Sequence, residues 1–170
     1  MLFLTLFVLL CLGFICYQDM RYRAVYWICF PLLAISMFIL KLDNATWKDA
    51  LIQSLWALAF FGIQLFALWG YLSLKHKQIV NITRNYLGLG DILFLWAIAF
   101  YLSPANYILF YIASLILILI YTIARRIVQK NANPEIPLAG LQALLLSMIL
   151  IVSVINPNLQ PYTDSWIYGF

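Results

Sequence analysis

Two acidic residues occupy positions where a carboxyl group could do chemistry. Asp91 lies within Tyr86–Ile92, directly against a long uncharged run, and Asp19 follows another apolar run. A carboxylate drawn below a membrane surface is costly and normally faces a bundle interior or a water-filled cavity. Asp91 is therefore a candidate functional residue. Asp19, followed by Arg21 and Arg23, fits either a functional role or an interfacial charge neutralised by its neighbours.

A pair of neighbouring carboxyl groups is suited to hydrolysis of a peptide bond. One carboxylate takes a proton from water, while the other, protonated, donates to the carbonyl oxygen. Two like charges a few ångströms apart cannot both ionise readily, so such a pair shares a proton. The reaction needs no covalent intermediate, metal or cofactor. A carboxylate pair that carries protons or cations through a membrane is the main alternative on these grounds.

Two glycines precede Asp91. Gly88 and Gly90 carry no Cβ, so the backbone there can pass close to a neighbouring segment or a substrate. We predict that both support the site by allowing close approach beside Asp91.

The elements that must position these carboxyls are membrane spans. Of the 170 residues, 66% are hydrophobic and only 9% are charged, whereas a soluble domain has about 25% charged residues. This composition excludes a water-soluble or disordered chain. It predicts an all-α polytopic membrane protein, with residues 1–170 forming a single domain of six transmembrane helices.

One uncharged stretch, Ile92–Ala124, is too long for a single span. As one helix it would extend about 50 Å, well beyond a hydrocarbon core of about 30 Å. Ser103–Asn106 has the composition of a turn and divides the stretch in two. Since Asp91 to Leu102 is too short to cross, the helix must begin upstream or the bilayer must thin. The predicted spans are 1–17, 24–40, 50–74, 87–102, 105–124 and 136–155.

The distribution of basic residues predicts the orientation. Eight of the ten Lys and Arg fall on one face, and Lys41 and Lys48 fall on the other. The positive-inside rule places the eight-residue face in the cytoplasm and both termini outside the inner membrane. The net charge of +4 is therefore a topology signal, and no nucleic-acid partner is predicted. The eight are Arg21, Arg23, Lys75, Lys77, Arg84, Arg125, Arg126 and Lys130.

The predicted topology also assigns the acidic residues to the two faces of the membrane. Asp19 and Asp91 lie at the cytoplasmic ends of different spans, where they can meet if those spans are neighbours. Glu135, at the mouth of the sixth span on the same face, is a candidate for facing a substrate. Three others, Asp43, Asp49 and Asp164, are predicted to be solvated in the outer loop and tail.

The motifs resemble those of a known family. Gly88–Asp91 reads Gly-Leu-Gly-Asp, which matches the GxGD motif of intramembrane aspartyl proteases. Asp19 followed by Arg23 and Val25 resembles the first motif of type IV prepilin peptidases. The resemblance implies that Asp19 and Asp91 are the catalytic pair. It also implies substrates that are prepilin-like precursors, cut at the cytoplasmic face between a basic leader and a hydrophobic helix.

The chain is most similar to the short members of that family. Larger bacterial members carry a cytoplasmic domain with paired cysteines and an N-methyltransferase activity, to which nothing in this sequence corresponds. Leu93 stands where many members have lysine. Two other interpretations remain: a small transporter or channel component that uses Asp19 and Asp91 for ion passage, and an inactive scaffold in a pilus or secretion assembly.

Overall fold

The computed structural model describes residues 2–77, 87–128, 137–156 and 158–164. Within these ranges the chain forms six α-helices and no strand. The all-α class and the order of the apolar segments are therefore confirmed. The helices are α1 (Leu2–Tyr22), α2 (Cys29–Leu42), α3 (Trp47–His76), α4 (Leu89–Ile98), α5 (Pro104–Val128) and α6 (Leu138–Ile155).

The helices form a polytopic membrane protein. Four of them, α1, α3, α5 and α6, are long and apolar enough to cross a bilayer, while α2 and α4 are shorter apolar helices. Many large apolar side chains stay on the outer surface, such as Phe3, which is 86% exposed, and Leu74, which is 82% exposed. Such a surface suits lipid, because without water around the helices there is no hydrophobic cost in leaving it uncovered.

Helix α1 packs mainly against α6, and α2 lies between α1 and α4. The α1–α6 contact has a helical repeat on both sides. Val8, Leu12 and Ile15 of α1 and Ala143, Leu146 and Leu150 of α6 belong to one buried cluster. This i, i+3, i+4, i+7 spacing places each set on a single helix face. The packing brings the carboxyl end of α1 next to the amino end of α6, where Gly140 of α6 contacts Asp19 of α1.

Helix α4 is much shorter than its predicted span of residues 87–102. It runs for 10 residues, from Leu89 to Ile98, which is about 15 Å or half of a hydrocarbon core. A buried turn follows and α5 begins at Pro104, so the predicted division of the uncharged stretch is confirmed. Non-helical backbone at membrane depth is tolerated only where protein surrounds it and satisfies its polar groups.

Side chains from other segments satisfy the carbonyl groups at this turn. The Tyr107 hydroxyl donates to the Leu95 carbonyl oxygen at 3.1 Å, and Lys41 Nζ donates to the Leu102 carbonyl oxygen at 3.2 Å. Lys41 is completely buried, which corrects its assignment to the charged outer surface. The reason is that the short α4 leaves backbone acceptors inside the bundle, where a long cationic side chain can reach them.

The chain after α6 folds back over the same turn. Asn106 Nδ2 donates to the carbonyl oxygens of Pro161 at 3.1 Å and Thr163 at 2.8 Å. The expectation that Asp164 is solvated is wrong, because its side chain is half-buried and its Oδ1 has no hydrogen-bond partner within the described ranges. It lies close enough to Lys41 for an electrostatic interaction. Asp43 and Asp49 are exposed, as predicted.

Candidate active site

Asp19 lies in the last turn of α1, which continues to Tyr22, five residues beyond the predicted end of the first span. Its side chain is only 8% exposed. The helix ends at Arg23, which has a left-handed φ of 53° and donates its N–H to the Asp19 carbonyl oxygen at 3.0 Å. Arg23 is also close enough for an electrostatic interaction with the Asp19 carboxyl group. This local geometry directs Asp19 into the bundle.

Asp91 lies in the first turn of α4, where Gly88 is the N-cap residue. The Asp91 N–H donates to the Gly88 carbonyl oxygen at 3.1 Å. Because α4 packs against both α2 and α6, its amino end faces the interior and the Asp91 side chain is half-buried. This helix therefore begins within the GxGD motif, at Leu89 directly after the N-cap residue Gly88.

The two carboxyl groups meet at the amino end of α6. Asp91 Oδ1 accepts the N–H of Ala139 at 2.8 Å, and Asp19 Oδ2 accepts the N–H of Gly140 at 2.6 Å. The N-cap residue of α6, Pro137, makes no side-chain cap hydrogen bond, so carboxyl groups of two other helices bind these first-turn amides. The carboxyls also interact electrostatically with each other. Two motifs far apart in the sequence thus converge on consecutive backbone amides.

Close contacts at glycines hold this arrangement together. A Cβ added at Gly140 would lie 3.0 Å from Asp19 Cβ and 3.3 Å from the Cys16 carbonyl oxygen, so α6 can approach α1 only with glycine here. A Cβ at Gly88 would lie 3.0 Å from Asp91 Oδ2. At Gly90 the corresponding distance, to the Phe30 ring, is 3.7 Å, an ordinary van der Waals contact. The tight approaches are therefore at Gly88 and Gly140.

Sequence reasoning placed Glu135 at the mouth of the sixth span but missed the residues of α6 that bind the two carboxyls. Gly140 and Ala139 supply the donors for both carboxyls, yet neither belongs to a motif that suggests chemistry. The available signal was the pair of small residues at the start of an apolar helix, which is typical of close helix packing in membranes. Glu135, the candidate for facing a substrate, lies outside the described residues.

Each carboxyl group accepts a backbone N–H of α6 through one of its oxygens. The backbone amides bind Asp91 Oδ1 and Asp19 Oδ2. Asp91 Oδ2 points to Gly88, which is exposed and lacks a side chain that would cover it. In the described ranges no three His, Cys, Asp or Glu side chains group closely enough to hold a metal ion. The site is therefore a pair of carboxyl groups, each held through one oxygen by a backbone N–H of α6.

Comparison with known families finds a match over most of the chain. A model of the type IV leader peptidase family matches residues 6–123, a range that includes both aspartates and the GxGD motif. Neither a curated protein nor a solved structure matches the chain significantly. The matched range ends before α6, so the amide donors come from a part of the chain beyond it.

Proposed function

The chain belongs to the type IV leader peptidase family, and on that premise we propose that it is an aspartyl endopeptidase with Asp19 and Asp91 as its catalytic pair. The substrates are prepilin-like precursors, cut between a basic leader and an apolar helix at the cytoplasmic face of the inner membrane. The observation that carries this proposal is the convergence of both carboxyls on consecutive amides of α6.

Hydrolysis by this pair requires one ionised and one protonated carboxyl group. The ionised one takes a proton from a water held between the two free oxygens, and the resulting hydroxide adds to the carbonyl carbon of the scissile bond. The protonated one gives its proton to the carbonyl oxygen. Collapse of the tetrahedral intermediate returns that proton, transfers the other to the leaving amine, and releases two chains with the enzyme unchanged.

The amino end of α6 supports this chemistry electrostatically. A helix amino terminus carries a partial positive charge of roughly half an elementary charge. Ala139 and Gly140 place two N–H groups of this terminus directly on the carboxyl oxygens. They partly offset the cost of a negative charge in an apolar bundle and fix the orientation of both carboxyls.

A structural role as a helix cap is the competing explanation for the same contacts. An aspartate that only caps α6 needs an acceptor oxygen, whereas a catalytic aspartate must also take up and release a proton. Asparagine keeps the acceptor and cannot exchange the proton. The amide variants therefore separate the two roles, which alanine variants would not.

We expect Asp19→Asn and Asp91→Asn each to reduce processing of a co-expressed precursor by about 10²–10⁴-fold, because general acid–base catalysis is lost. Thermal stability in detergent should stay close to that of the wild type, since the contacts to Gly140 and Ala139 are kept. Processing is measured by the mobility shift of the precursor on gels.

Asp43→Asn is the matched control, because Asp43 is exposed in the loop after α2 and should be silent. Asp164 is unsuitable as a control, since it is half-buried near Lys41. Normal processing by Asp91→Asn would contradict the aspartyl mechanism. A protein that instead conducts protons or cations would process no precursor even as the wild type, and both amide variants would lose ion flux.

A further inference from the structure

A groove of about 620 Å³ lies between α5 and α6, away from the aspartates themselves. Its walls are apolar along the helices and polar where the chain after α6 closes one end. The apolar lining includes Leu109, Phe110, Ala113, Leu117, Leu145 and Ile149. The polar end is formed by Asn106 together with amide side chains beyond α6. The groove therefore runs along α5 and α6 from that end toward Leu117 and Leu145.

A buried amide lies beside this groove. Gln142 is completely buried, and its Nε2 donates to Ser114 Oγ at 3.1 Å. Ser114 lines the groove. Gln142 Oε1 is buried and has no hydrogen-bond partner among the described residues. A buried acceptor without a partner is energetically unfavourable. A donor on a bound substrate would satisfy this oxygen.

The position of Gln142 connects the groove with the aspartates. It lies on α6, three residues after Ala139, a rise of about 4.5 Å along the helix. The first turn of the same helix binds both carboxyls. A chain lying in the groove and extending toward the aspartate end would thus pass Gln142 before it reaches Asp91 and Asp19.

A substrate that is helical must open before it can be cut. Opening a helix frees backbone N–H groups, which in an apolar environment require acceptors from the protein. The free Gln142 Oε1 is such an acceptor, at the depth where the helix of a precursor would have to unwind ahead of the cleavage point.

Resting on the proposed function, we infer that the α5–α6 groove receives the apolar helix of the precursor and that Gln142 Oε1 accepts a backbone N–H from its unwound segment. Gln142 is then a substrate-positioning residue, and Ser114 orients its amide.

The first test replaces Gln142 with methionine, which has a similar shape and no acceptor. We expect kcat/KM for a full precursor to fall about three- to tenfold, because the substrate N–H loses its partner. The melting temperature should change little, since the lost hydrogen bond to Ser114 is offset by the removal of an unsatisfied buried acceptor. Gln53→Met is the matched control, because Gln53 Oε1 is also buried without a partner but lies on α3 near the opposite end of the bundle.

The second test fills the groove. Ala113→Trp and Leu109→Trp change exposed residues of its lining, which should tolerate the larger side chain. We expect KM for the precursor to rise about tenfold by loss of apolar contact area, with kcat nearly unchanged. Ala67→Trp, on an exposed face of α3, is the control and should change neither constant.

The outcomes separate this inference from the proposed function. Absence of Asp-dependent cleavage in the wild type would overturn both. Normal cleavage with unaltered constants in Gln142→Met would overturn the positioning role alone. Unaltered KM in both tryptophan variants would overturn the assignment of the groove to the precursor helix.

Discussion

Gly140 controls how closely the first and last helices of the described bundle approach each other. A Cβ atom added at this glycine would lie 3.0 Å from Asp19 Cβ and 3.3 Å from the Cys16 carbonyl oxygen. The Cys16 oxygen belongs to the α1 backbone and cannot rotate away as a flexible side chain would. A residue with no chemistry of its own therefore sets the position of a carboxyl group.

Replacing this glycine should impair activity without removing any reactive group. We expect Gly140→Ala to reduce precursor cleavage by roughly 3- to 10-fold, because the added Cβ displaces its neighbours by a few tenths of an ångström, and a displacement of about 1 Å at a reacting group can cost as much as 10²-fold. Cleavage rates are compared at equal amounts of inserted protein. Gly13→Ala is the control, since nothing lies within 4 Å of its added Cβ. Equal activity of both variants would show that the α1–α6 contact does not position Asp19.

For single residues, the sequence indicated a functional role where the relevant residues are adjacent in the chain. Asp91 stood out because its motif and its apolar neighbourhood are contiguous in the chain. Gly140 and Gln142 did not, because their roles arise only when α6 packs against α1 and α5. One sequence alone does not show which small residue of a helix will pack against the backbone of another helix.

Among the elements, the short α4 and the buried turn after it differ most from the expected span. The turn is stable because Tyr107 and Lys41 satisfy its carbonyl groups, and because the segment after α6 covers it. Hydropathy predicted the apolar segments correctly, and the turn composition of Ser103–Asn106 predicted the break near Pro104. Hydropathy could not predict the early end of α4 at Ile98, since the donors that permit this end lie in α2 and α5.

The covering segment depends on Asn106. Its Nδ2 donates to Ser103 Oγ and to the carbonyl oxygens of Pro161 and Thr163. We expect Asn106→Leu to lower the melting temperature in detergent by about 3–8 °C, because buried carbonyl groups lose their donor. Differential scanning fluorimetry measures the shift.

The matched substitution Asn44→Leu lies in the exposed loop between α2 and α3 and should leave the melting temperature unchanged. An unchanged melting temperature for Asn106→Leu would mean that the covering segment contributes nothing to the stability of the turn.

At the scale of the whole molecule, the burial of Lys41 removes from the exposed surface one of the two basic residues that were predicted for the outer face. Within the described ranges, the end opposite the aspartates exposes only Lys48 among its Lys and Arg residues. The aspartate end carries Arg21, Lys75 and Lys77 on its exposed surface. Among the described residues, the exposed basic side chains named here thus number three at the aspartate end and one at the opposite end, an asymmetry in the same direction as the sequence count.

Reporter fusions test this orientation directly. We expect a cytoplasmic reporter to be active when fused after Lys77 and a periplasmic reporter to be active when inserted at Asn44 or fused after residue 170, because positive charge is retained inside. Each site receives both reporters, so that every position has its own control. A cytoplasmic signal at Asn44 would place the aspartates at the outer face and would exclude cleavage of leaders in the cytoplasm.

The dependence of both carboxyls on α6 has a consequence for biogenesis. Asp19 and Asp91 lie on helices that are synthesised before Ala139 and Gly140. A nascent chain thus enters the membrane with both acids and without the amides that hold them. In the proposed mechanism the enzyme is therefore inactive during its synthesis and becomes active when α6 has been inserted.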